Sequence, residues 1–119
     1  MIAFGSPGNE VVGQAQVQIF LNRAVFGMDP QTALEQPRIA SYSWPGSIMP
    51  HPYFPGLVKL ESRLPQETGD KLKQLGHKVE WWPERNWLAG SPCMIVHDLA
   101  RDLRFAGADH RRTSYALGW

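Results

Sequence analysis

The sequence predicts a mixed α/β or α+β fold. Three observations carry this. Short apolar segments with strand character recur along the chain, one helical stripe has a 3.6-residue period, and Gly and Pro separate each segment from the next. The 119 residues are enough for one domain. A globule of 13.4 kDa can bury roughly two-thirds of its unfolded surface.

Ile2-Ala3-Phe4 read as the end of a buried strand, running into Gly5-Ser6-Pro7-Gly8-Asn9, which stops any regular element. From Glu10 to Phe26 the pattern is helical. Val17, Phe20, Leu21, Ala24 and Val25 fall at i, i+3, i+4, i+7 and i+8, and Gly27 supplies the stop. Val12, Ala15, Ile19 and Phe26 add apolar groups on other faces, which predicts a helix covered on more than one side. Asp29-Pro30 starts a second helix that runs to Gln36 and ends before Pro37.

Arg38 to Trp44 alternates loosely, as a strand would, and the four prolines between Pro45 and Pro55 predict an irregular connection. Gly56 to Glu61 reads as a strand. Pro65 opens a helix carrying Leu72 and Leu75 and closed by Gly76, and His77 to Trp82 is a strand. Cys93–His97 and Leu103–Ala106 form a hairpin around Asp98–Asp102. Thr113 to Trp119 ends on an apolar residue that calls for cover.

Composition excludes several functions. Hydrophobic residues at 43% and charged residues at 19% argue against disorder. A net charge of +1 lacks the broad positive field of a nonspecific nucleic-acid or membrane binder. One cysteine excludes an internal disulfide framework and a multi-thiolate zinc site. No apolar run approaches the roughly 20 residues of a membrane span, and the first residues lack the basic and apolar regions of a signal peptide.

Few residues carry chemistry. The turn Gly5–Asn9 before a helix can expose backbone N–H groups to an oxyanion or carboxylate, although an ordinary strand-to-helix turn looks the same. It is neither a Walker loop nor a dinucleotide fingerprint. Cys93 and His97 lie four apart on a strand, about 13 Å, so they cannot pair. Cys93 reads as a buried small thiol. His51, His77 and His110 have no metal-ligand spacing, and Asp98, Asp102 and Asp109 read as turn residues. Trp81, Trp82 and Trp87 read as core or interface before they read as a stacking platform.

The order of short motifs resembles one known family. The words are Gly5-Ser6-Pro7-Gly8, the helix Gln14–Asn22, Phe26-Gly27-Met28-Asp29-Pro30, Ala33-Leu34-Glu35, Pro37-Arg38, Leu75-Gly76-His77-Lys78-Val79, Ala106-Gly107-Ala108-Asp109-His110-Arg111-Arg112 and Gly118-Trp119. They resemble, over essentially the whole chain, the C-terminal part of the small subunit of gamma-glutamyltransferases (gamma-glutamyltranspeptidases).

That resemblance implies an N-terminal nucleophile hydrolase with a four-layer αββα sandwich, of which this chain is a part. In that family a precursor cuts itself, and the new N-terminal Thr becomes the nucleophile with its own α-amino group as base. A gamma-glutamyl group then passes from glutathione or a related amide to water or an amino acid. Carried over by position, Gly8 and Asn9 supply the two backbone N–H groups of the oxyanion hole. Asn9 stands where the family has a second Gly, and it keeps the N–H. Asp109-His110-Arg111 matches the family's Asp-Pro-Arg. The Trp-rich stretch suggests an acylase-like branch.

The nucleophile, the paired serines that hold the substrate carboxylate and the large subunit are expected outside these residues. Thr32, Thr68 and Thr113 do not replace the nucleophile. The resemblance therefore implies no activity for the chain alone, no cofactor and no metal. The implied partners are the remainder of the small subunit, the large subunit, a gamma-glutamyl or other acyl amide substrate, and a second copy by self-association. The alternative is a non-catalytic interaction module derived from the family. The compartment is left open, since family precursors are often exported. The excess of Trp and Pro, with Trp119 at the end, predicts surfaces exposed in the lone chain.

Overall fold

The computed structural model describes residues 1–118, so the expectation for Trp119 lies outside the described residues. The elements in order are β1 (Ile2–Gly5), α1 (Val11–Ala24), α2 (Pro30–Glu35), β2 (Ile39–Ser41), β3 (Leu57–Glu61), α3 (Gln66–Gln74), β4 (Lys78–Trp82), a 3-10 turn (Trp87–Ala89), β5 (Cys93–Asp98) and β6 (Leu103–Ala108). They form two three-stranded sheets. One is antiparallel in the order β1-β5-β6. The other, β2-β3-β4, joins an antiparallel pair to a parallel one through α3.

Local chemistry explains the helix starts and stops. Asp29 caps α2 by accepting from the N–H groups of Gln31 and Thr32, both at 3.1 Å, with Pro30 at the first helical position. Gly27 takes a φ of 69° just beyond α1, a conformation that costs other residues.

Helix α1 lies between two small cores. Ile19, Leu34, Met94 and Val96, with Ile2 and Phe4 against them, fill the space between the helices and the first sheet. Val11, Ala15, Ala40, Trp82 and Ala89, with Tyr42, fill the space beside the second. The covered face of α1 is thus Val11, Gln14, Ala15, Gln18, Ile19 and Asn22. Gln14 pairs with the backbone of Ser41 (2.8 and 3.0 Å), and Gln18 with that of Ile39 (3.0 and 2.9 Å). Two side-chain amides therefore extend the β2 ladder and blunt its edge.

This corrects the helical stripe. Val17, Phe20, Leu21, Ala24 and Val25 point outward, with Val17 at 59% and Val25 at 66% exposure. The purely apolar stripe lost the interior to a mixed stripe because glutamine amides satisfy a strand edge that leucines cannot. Strand β1 is also not buried on both sides. It is an edge strand, and Ala3 and Gly5 are exposed. Cys93 is exposed, not buried. It lies with Ala3, Ile95 and Ala106 on a sheet face that no helix or strand covers among the described residues, although residues 116–118 border a cavity with Ile95 and Ala106 there. The expected exposure of the tryptophans holds for Trp44 and Trp87, whereas Trp82 is core and Trp81 half-buried against Gly69.

Candidate functional site

The turn between β1 and α1 starts from residues that forbid a strand and delay a helix. Pro7 has no N–H to give. Gly8 has a φ of 141°, which favours glycine, and a Cβ there would meet Val12 Cγ2 at 3.1 Å. The N–H groups of Gly8 and Asn9 have no hydrogen-bond partner among the described residues, and both residues are exposed. The turn is anchored from behind. Ser6 Oγ accepts the Ser91 N–H at 3.1 Å and donates to the Pro7 carbonyl at 3.0 Å. The result is two adjacent free amides on a fixed backbone, a geometry that can receive an oxyanion.

A buried ion quartet stands behind that anchor. Arg38, Glu61, Asp109 and Arg111 are all nearly inaccessible. Arg111 forks onto Glu61 with two bonds of 2.6 Å and reaches both Asp109 oxygens at 3.2 Å. Arg38 bonds Asp109 through Nη2 and the carbonyls of Ala89 and Gly90 through Nη1, at 3.1 and 3.0 Å. Two cations and two anions give no net charge, and the pairs are bidentate or multiply bonded, the arrangement that buried ions need.

Burial pushes the Arg38 pKa down, with the Arg111 cation adding to this and Asp109 opposing it. Burial also works against the Arg111 cation, but its bonds to Glu61 and Asp109 outweigh that and hold its pKa above the ordinary value. Asp109 is a turn residue, its Oδ1 accepting the Arg111 N–H at 2.9 Å, and it is also an interior ion partner, a second role that the turn reading did not include. No local spacing could have paired Arg38 with Asp109 or Glu61 with Arg111, since the partners lie 71 and 50 residues apart.

The other candidates do not converge. Cys93 and His97 stay apart along β5, and His97 Nε2 pairs with Asp102 Oδ1 at 2.8 Å. His51 Nδ1 meets the Gly46 carbonyl at 2.7 Å, and His110 sits 3.8 Å from Glu35. Beside the turn, Glu10 Oε1 accepts the Ser47 N–H (2.6 Å) and hydroxyl (2.8 Å). Bonds from the backbone at Glu10 and then from Ser47 hold its carboxyl below the usual range. The irregular segment 45–55 is thereby tied to the start of α1. It borders a cavity of about 70 Å³ lined by Glu10, Tyr42, Trp44, Gly46, Pro52 and Phe54. Sequence reading did not single out this cavity. Its signal was the aromatic and proline density of residues 42–54.

A sequence profile describing gamma-glutamyltranspeptidase matches residues 1–119. The chain is 32% identical over 118 residues to the glutathione hydrolase-like YwrD proenzyme of Bacillus subtilis (strain 168), covering 98% of this chain and 21% of that protein. It superposes on the solved structure of LmbA2991HD with a TM-score of 0.86 at 32% identity, covering 92% of this chain and 20% of that one. Cephalosporin acylase from Bacillus halodurans shares the fold, with a TM-score of 0.81 at 24% identity over 98% of this chain and 19% of the acylase. The chain thus spans about a fifth of the length of these relatives.

Proposed function

Because the chain belongs to the gamma-glutamyltranspeptidase family of N-terminal nucleophile hydrolases, we propose that it forms the C-terminal part of a small subunit. Members of the family are two-subunit enzymes. In this reading residues 1–119 supply oxyanion donors and scaffold for transfer or hydrolysis of a gamma-glutamyl or related acyl amide. The nucleophile and the residues that select the acyl group come from the rest of the assembly.

The observation that carries the reading is the pair of free N–H groups at Gly8 and Asn9. Both can donate to the oxygen of a tetrahedral intermediate, and the Ser6–Ser91 bond fixes the backbone before the reaction starts. Donors set in advance need no reorganisation as charge develops, and one such donor is worth about 10²–10³ in kcat. Partner contact is supported by the open sheet face at Ala3, Cys93, Ile95 and Ala106 and by the outward stripe of α1. Apolar surface of this kind marks an interaction site.

The test is complementation with a chromogenic gamma-glutamyl anilide. The B. subtilis proenzyme lacking its matching 118-residue segment is co-expressed with this chain. Neither part alone turns over substrate, and the pair does. Asn9→Pro, which deletes one N–H, lowers kcat of the pair by about 10²–10³, whereas Asn9→Gly keeps it. Turnover by the lone chain, or an unaffected Asn9→Pro pair, refutes the reading.

A further inference from the structure

We propose that the cavity between the start of α1 and the loop 42–54 is a binding site for a small primary ammonium group. It is lined by Tyr42, Trp44, Phe54, Gly46 and Pro52, and the one charged residue among its lining is Glu10. Aromatic faces carry negative potential and attract cations. A carboxylate at the rim adds a full negative charge.

Glu10 is available for this. Its Oε1 is engaged by Ser47, while Oε2 has no hydrogen bond among the described residues. Lys59 stands 5.3 Å from the Tyr42 ring centroid, so that ring already attracts one cation. Lys59 is in turn neutralised by Glu80 at 2.9 Å and does not reverse the local sign. The volume of about 70 Å³ admits an ammonium head with one or two carbons.

The ligand class follows from these walls. A neutral apolar group would gain nothing from the free Oε2, and an anion would meet it directly. Glu10 immediately follows Asn9, so the cavity adjoins the turn proposed above to hold the oxyanion. Resting on that reading, the ammonium site would hold the departing amine of an acyl amide after that amine has taken up a proton. The binding claim itself stands on the cavity alone.

The experiment is an amide and indole NMR titration of the 119-residue chain with ethylammonium chloride, at ionic strength held constant with sodium chloride. Ethanol serves as the neutral probe of similar size. The expected result is saturable shifts at the Trp44 indole and at the Gly46 and Ser47 amides, with millimolar affinity and no saturation by ethanol. Glu10→Gln, whose amide oxygen still accepts from Ser47, weakens binding at least tenfold. Trp44→Leu, at an exposed ring, weakens it at least threefold. Absence of saturable shifts, equal binding of ethanol, or unchanged affinity in Glu10→Gln overturns the proposal. No turnover is involved, so failure here leaves the Gly8 and Asn9 reading standing, and failure of Asn9→Pro leaves this one.

Discussion

Arg111→Met is expected to cost about 3–5 kcal/mol of folding stability, because it breaks a buried ion network from the inside. The side chain holds Glu61 through two 2.6 Å bonds, touches both Asp109 oxygens, and donates to the Leu34 and Gln36 carbonyls at 3.0 Å each. Met fills much of the volume but answers none of these groups. Glu61 and Asp109, both fully buried, then keep only Arg38, on Asp109, and the longer 3.8 Å approach of Arg63 to Glu61, so Glu61 loses its only close ion partner among the described residues. At about 0.05–0.15 kcal/mol per residue a chain of this size has roughly 6–18 kcal/mol in total. The loss should therefore lower the melting temperature by roughly 10–30 °C. Urea unfolding followed by tryptophan fluorescence measures it. Arg112→Met is the control, since that half-buried neighbour contributes mainly a cation–π contact to Trp87 at 5.1 Å, about 0.5–1 kcal/mol. Glu61→Gln in the Arg111→Met background should recover about 1–3 kcal/mol relative to additivity. An Arg111→Met chain within about 1 kcal/mol of the parent, or strict additivity with Glu61→Gln, refutes the network as described.

Three further outcomes are expected. Gly107→Ala should destabilise by about 1–3 kcal/mol, since its Cβ would sit 2.9 Å from backbone atoms of Pro30 and Gln31, and calorimetry would reveal it as a lowered melting temperature. Stability should fall as pH drops through and below about 6.5. Burial and then the Arg85 charge lower the folded pKa of His110, so the unfolded chain takes up that proton first, and His110→Gln should flatten this part of the pH profile. Cys93, on the open sheet face, should react fully with a thiol reagent in the native lone chain and become protected in the complemented pair.

Much of the fold was legible because local rules acted alone. Asp29-Pro30, Gly27 and Gly76 mark ends through backbone geometry, and the hairpin of β5 and β6 lies within two residues of its expected bounds. The failures occurred where tertiary partners decide. Nothing in the period of α1 says that Gln14 and Gln18 face inward, because their value depends on the free edge of β2. Cys93 was misplaced for a related reason. A strand residue is buried only if something covers its face, and the first sheet is covered on one side. At the site, the turn Gly5–Asn9 was legible from its residues and Gly8 and Asn9 only from the family resemblance, whereas the quartet behind them joins residues that sequence spacing cannot relate.

The quartet is placed to support the exposed turn from behind. In the proposed role the free amides face outward to receive a ligand, so nothing in front of Gly8 and Asn9 can hold them. The constraint has to come from behind, and it runs through a short chain of bonds. Arg111 and Asp109 fix Arg38, whose Nη1 holds the carbonyls of Ala89 and Gly90. Gly90 has no room for a side chain, with a Cβ position 3.2 Å from Ser6 Oγ, so the segment lies flat against the turn. Ser91 then donates to that same Ser6 oxygen. Hydrophobic packing could bury the segment, but it is non-directional and would not orient an amide. Hydrogen bonds from charged groups are directional and stronger than neutral ones. On this argument the desolvation of four charged side chains is retained for positioning, and the Arg38 end of the network matters to the turn more than the Glu61 end does.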